Sequence, residues 1–158
     1  MPEPALAGPN RPPFAPDHFF LDRTYGRGVV RDFTGRLIDE CRITTEGRWD
    51  HAIGGLYFDE VFTYDTGRVD TLNWKFSPDP QGRMVASELS LAEPVTGWTE
   101  GADYRLRFRR ADPSQPRLPR LTYDVRFSPM EPELVLKTVG LKLFGLKIAT
   151  MIAFHRRV

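Results

Sequence analysis

Apolar and polar residues alternate with a period of two along most of the chain, the pattern of strands that bury one face. In the run 56–64, Leu56, Phe58, Phe62 and Tyr64 share a face; in the run 68–76, Leu72, Trp74 and Phe76 do. Asp65-Thr66-Gly67 separates the two runs. A two-residue loop would set Tyr64 against Val69 and put the apolar faces out of step. A three-residue loop pairs Phe62 with Asp70, Glu60 with Leu72, Phe58 with Trp74 and Leu56 with Phe76, and both apolar sets then coincide. Gly67 stands where such loops take left-handed backbone. This register predicts that two carboxylates, Glu60 and Asp70, share the face of Phe58, Phe62 and Trp74.

The rest of the chain reads the same way. Residues 17–22 suggest a short helical turn carrying Phe19, Phe20 and Leu21 as an apolar plug. A strand over 24–32 contains Gly26 and Gly28, which suggest a bulge or bend. The strand 37–49 sets Leu37, Cys41, Ile43 and Trp49 on one side. Further strands are expected over 84–91, 94–100 (weaker, broken by Gly97), 103–110, 121–127, 134–143 and 146–156. Tyr104, Leu106 and Phe108 face inward on one of them, and Leu121, Tyr123, Val125 and Phe127 on the next. Nine or ten short strands at regular spacing predict an all-β fold, a single antiparallel up-and-down β-barrel. The last strand is apolar on both faces, so the plug or a second subunit is expected to cover it, which makes it a candidate homodimer interface.

Composition narrows the function classes. The 158 residues suit one domain, with a flexible Pro-, Ala- and Gly-rich leader over 1–16 and the barrel over 17–158. The leader lacks a basic start followed by an apolar stretch, so no signal peptide is expected, and no run is long and apolar enough to span a membrane. Both point to a cytoplasmic protein. A formal net charge of +1 argues against a dedicated nucleic-acid binder. The single Cys41 excludes an internal disulfide and a multi-cysteine zinc site, and reads as a buried thiol. His18, His51 and His155 show no metal-ligand spacing, so no metal or cofactor is expected, with haem ligation by one of them as a minor alternative. Arg105, Arg107, Arg109 and Arg110 read as a solvated outer stripe with Asp103 and Asp124 as partners.

Asp-Thr-Gly is also the signature of aspartic proteases, whose chemistry needs two carboxylates sharing a proton. Arg68 follows it here and no second copy exists, so it reads as a turn. The inward Glu60 and Asp70 require a partner, a proton or nearby water. An interior Arg such as Arg27, or a place near the open barrel end, would satisfy them. Alternatively, one of them orients the polar group of a ligand in an apolar cavity. The expected ligand-binding set is Glu60, Asp70, Phe58, Phe62, Trp74, Tyr104 and Tyr123. With no nucleophile in view, no catalytic residue is assigned. The leading expectation is a non-enzymatic barrel that binds a small, mainly hydrophobic ligand. The alternatives are an enzyme on a hydrophobic substrate with Glu60 or Asp70 as acid or base, and a structural or assembly protein.

Gly26-Arg27-Gly28-Val29-Val30-Arg31-Asp32, Thr34-Gly35, Glu46-Gly47 and Phe58-Asp59-Glu60-Val61-Phe62-Thr63-Tyr64-Asp65-Thr66-Gly67 resemble the DUF3833 proteins, bacterial proteins of unknown function. The family's acidic-aromatic stretch matches Asp59, Glu60, Phe62, Tyr64, Asp65 and Gly67, and its following Trp matches Trp74. The resemblance is specific between Gly26 and Trp74 and extends in outline over 20–156. It implies a lipocalin-like, or calycin-like, barrel and supplies no chemistry.

Overall fold

Consecutive strands of this chain hydrogen-bond to one another except at one seam, and the last strand returns to the first. The computed structural model describes residues 12–113 and 115–158. A single helical turn, α1 (Pro16–Phe19), precedes β1 (Asp22–Asp32), β2 (Leu37–Asp50), β3 (Gly55–Tyr64), β4 (Val69–Pro78), β5 (Met84–Ser87) and β6 (Val95–Thr96). Then come β7 (Trp98–Glu100), β8 (Asp103–Arg110), β9 (Leu121–Glu131), β10 (Leu134–Leu143) and β11 (Leu146–Arg157). The sheet order is β6-β5-β4-β3-β2-β1-β11-β10-β9-β8-β7, antiparallel throughout. This is the expected up-and-down barrel, nearly closed.

Among the described residues eleven strands form rather than nine or ten, because the segment 94–100 is two. Gly97 divides it: β6 pairs with β5, and β7 with β8. The two edges of the sheet are therefore consecutive in the chain, and the barrel seam runs past Gly97. A bridge between Leu91 and Arg110, and a hydrogen bond from Ala92 N to Arg109 O (3.1 Å), draw the seam together. Closing a sheet in this way removes exposed edges that would otherwise pair with other chains.

The β3–β4 register is the one the turn imposes: Leu56 opposite Phe76, Phe58 opposite Trp74, Glu60 opposite Leu72, Phe62 opposite Asp70. Tyr64 N donates to Arg68 O and Gly67 N to Tyr64 O, both at 2.9 Å, with Gly67 at φ 91°. The expected bulge at Gly26 and Gly28 is absent; the β1–β2 register shifts instead between Val30 and Arg31, where the extra residue, Ile38, lies on β2. The two glycines serve close packing, since a Cβ at Gly26 would meet the Phe154 carbonyl and, at 3.3 Å, the His155 ring. Trp49 lies on the expected face of β2, but past the covered end of the barrel, and is 39% exposed.

The plug enters the barrel rather than covering β11 from outside. Phe14, Phe19 and Phe20 are buried, with Phe20 stacked on Phe58 at 4.6 Å. The Phe20 carbonyl crosses Gly47 so closely that any side chain there would collide with it. Of the expected leader over 1–16, residues 1–11 lie outside the described residues, and Phe14 packs into the core. The outer face of β11 stays bare: Ile152 and Phe154 are 40% and 49% exposed. Among the described residues, no helix is long and apolar enough to cross a membrane.

His155 is fully buried at the plugged end, edge-on to Phe20, and neither ring nitrogen has a partner among the described residues. Burial, reinforced by the Lys137 charge, pushes its pKa down to about 3. The unfolded chain therefore takes up a proton below about pH 6.5 that the folded chain refuses. Stability present above that value is lost as pH falls towards the folded pKa. Between pH 6 and pH 5 His155 is expected to remove about 1 kcal/mol. Urea titrations of wild type and His155→Leu across that interval should diverge by this amount, and parallel curves would refute the assignment.

Candidate functional site: an apolar cavity with two internal ion pairs

A cavity of about 210 Å³ occupies the barrel above the plug. Its walls include Phe62, Leu72, Trp74, Phe108, Val139 and Met151. Strand alternation explains the lining: each residue is an inward position of β3, β4, β8, β10 or β11. The mouth lies at the β3–β4 turn end, where Ile38, Arg68, Asp112 and Gln115 join the lining. The opposite end is filled by the plug. The volume exceeds the ~150 Å³ void that admits benzene in an engineered protein core.

Deep in this cavity Glu60 is 2% exposed. Its Oε2 accepts from Lys137 Nζ at 2.8 Å, and its Oε1 accepts from the Trp74 indole N–H at 3.1 Å. Lys137 Nζ also lies 5.2 Å and 5.5 Å from the ring centroids of Phe62 and Phe127, within cation–π range. Asp70 lies nearer the mouth. Arg110 clamps it through both guanidinium NH2 groups, at 2.9 and 2.8 Å, and donates Nε to Ser90 Oγ at 2.8 Å. Tyr123 completes this cluster. Burial raises its phenol, against the lowering effect of the neighbouring Arg110 charge.

Arg27 is exposed and takes no part. The cation that answers Glu60 is Lys137, 77 positions away; the one that answers Asp70 is Arg110, 40 away. Arg110 thus leaves the expected outer stripe. Arg105, Arg107 and Arg109 keep to the outside, where Arg105 and Arg107 meet Asp124 at 2.8 and 3.3 Å. Both internal cations carried a parity signal. Arg110 has the parity of Tyr104, Leu106 and Phe108, and Lys137 that of Val135 and Val139.

Of the seven residues expected to bind ligand, Glu60, Asp70, Phe58, Phe62, Trp74 and Tyr123 line the cavity. Tyr104 does not. It faces inward but turns towards Gly97, where the missing side chain makes room for its phenol. Cys41 is buried, and burial pushes its thiol up to about 11, which suits an inert packing role. Among the described residues no cluster of His, Cys, Asp and Glu is placed to hold a metal.

A family model described as a protein of unknown function, DUF3833, matches residues 3–157. The chain belongs to the DUF3833 family. No curated protein matches the sequence. Among solved structures, this DUF3833 protein is similar to an S-type phycobiliprotein lyase from Guillardia theta. The TM-score is 0.64 at 11% identity, over 92% of this chain and 93% of that one. The likeness is one of fold, and it supports the lipocalin-like barrel.

Proposed function

We propose that this DUF3833 protein binds one small, mainly apolar ligand inside its barrel. The observation that carries the reading is the cavity itself. It is apolar over most of its wall, open at one end and furnished with a few fixed polar groups, the usual constitution of a small-molecule site. The Tyr123–Arg110–Asp70 cluster stands where a ligand's polar end would meet the mouth, and the Trp74–Glu60–Lys137 cluster where it would meet the floor. That a lyase shares the architecture is consistent with a ligand-handling barrel. Acid–base chemistry by Glu60 or Asp70 has less to support it, because each carboxylate is already held by a buried cation.

Trp74 supplies the readout. It is 5% exposed, while Trp49 and Trp98 are each 39% exposed. Delipidated protein titrated with 1-aminoanthracene should bind one equivalent and quench tryptophan emission. Val139→Phe fills the cavity and should lower affinity by about tenfold or more. Tyr104→Phe should leave affinity unchanged. Absence of binding by folded wild type, or equal binding by the filled variant, would refute the reading. A homodimer through the outer face of β11 is a separate proposal, resting on Ile152 and Phe154. Light scattering that finds only monomer at high concentration would remove it.

A further inference from the structure

The open end of the barrel carries large apolar side chains that the fold leaves in solvent. Phe33 is 79% exposed, Phe144 87% and Leu146 73%, with Ile38 at 51%. They come from two turns, the one joining β1 to β2 and the one joining β10 to β11. These turns emerge side by side, because β1 and β11 pair down to Asp32 opposite Ala149. The apolar tips therefore form one rim on the mouth, not scattered exposures.

Phe144 is the most telling of them. Leu143 pairs with Leu146 across the two-residue loop Phe144-Gly145, and both loop residues have positive φ, 50° and 79°. Such a loop favours Asn or Asp at its first position, and a bulky residue there costs stability. Here a phenylalanine holds the place and gains no burial in return. Folding of the chain does not account for it; contact with something apolar outside the chain does.

The charges on the same turns indicate what that is. Arg31 and Arg36 are exposed beside the β1–β2 turn, and Lys147 is exposed beside the β10–β11 turn with its side chain resting back over Gly140. Asp32 is the one carboxylate in the β1–β2 turn, and it is turned to the Thr34 and Arg36 backbone N–H groups. Apolar tips ringed by cations match an anionic lipid surface, with rings seated at the acyl boundary and cations at the headgroups. The rim is also continuous with the cavity: Ile38, Leu141, Ile148 and Ala149 line it from the same two hairpins.

We propose that the mouth of the barrel docks on anionic membrane surfaces through Phe33, Phe144 and Leu146, with Arg31, Arg36 and Lys147 around them. Docked in this way, the cavity opens onto the lipid phase, the natural source or destination of an apolar ligand. That exchange rests on the binding reading above; the docking itself rests on the rim alone.

Flotation with vesicles tests it. Full-length protein should float with phosphatidylcholine vesicles containing 30% phosphatidylserine, and much less with phosphatidylcholine alone. Arg36→Gln with Lys147→Gln should lower partitioning onto the anionic vesicles roughly twenty-five-fold, at about fivefold per charge. Phe33→Ser with Phe144→Asn should lower it by about tenfold or more per ring. Asn suits the loop, so this variant keeps the fold, and its 1-aminoanthracene binding should equal wild type. Wild type that stays with the soluble fraction, or a ring variant that floats as well as wild type, would overturn the docking. Loss of probe binding by wild type that still floats would overturn the cavity reading and leave the docking in place.

Discussion

Lys137→Met is expected to lower the free energy of unfolding by about 3–5 kcal/mol, close to half the stability of an ordinary domain. Lys137 and Glu60 are 5% and 2% exposed, and their 2.8 Å contact lies within the barrel. Each has given up its water to reach that place. Removing the ammonium leaves a buried carboxylate with the Trp74 indole as its remaining partner. That carboxylate must then stay ionised in an apolar wall or take up a proton, and either course costs free energy. Glu60→Leu should do comparable harm by leaving the ammonium unpaired. Replacing both, as in Glu60→Leu with Lys137→Met, should recover most of the loss, because a matched apolar pair has no charge to strand. Urea unfolding of the two single variants and the double variant reads the coupling directly. Additive losses would show that the two side chains do not act as a pair.

Phe20→Ala is expected to cost a similar amount, about 3–5 kcal/mol, and to act on a second observable as well. Phe20 is wholly buried, stacks on Phe58 and meets Phe127 edge-on at 5.6 Å, with Phe19 and Phe14 behind it. Few neighbours can collapse into the space, because the barrel wall is tied by its own hydrogen bonds. Water entering at the plugged end would also reach His155, which lies 5.8 Å from the Phe20 ring. Its proton uptake should then move back towards the ordinary histidine range, and the acid-side loss of stability should shrink. NMR titration of the His155 ring in the variant checks this. A ring that remained neutral to low pH would mean that Phe20 is not what keeps it dry.

The face of most residues was legible from parity, and their depth was not; Leu37 departs from parity, because the extra residue Ile38 on β2 lines the cavity and leaves Leu37 exposed. Glu60 and Asp70 were placed inward because a three-residue turn fixes the register of β3 against β4, and alternation does the rest. Trp49 shows the limit: it has the right face yet stands beyond the covered end, since nothing in a period of two says where a barrel stops. Tyr104 shows another. It faces inward, but the seam at Gly97 takes up its phenol and turns it from the cavity. The plug was recognisable as three adjacent apolar residues, whereas its place inside the barrel depended on the room left at Gly47.

By itself the sequence determined the strands, the antiparallel meander, the shared face of the two acids and the membership that its motifs between Gly26 and Trp74 announced. These follow from local rules: side-chain alternation, turn length and the residues a turn accepts. Only the tertiary structure decided that Lys137 answers Glu60, that Arg110 answers Asp70, that a cavity remains between them and that the apolar turn tips gather at its mouth. The physical reason is closure. Once the sheet curls until β11 meets β1, residues 40 and 77 positions apart face one another across the interior. No local pattern encodes which of them will meet.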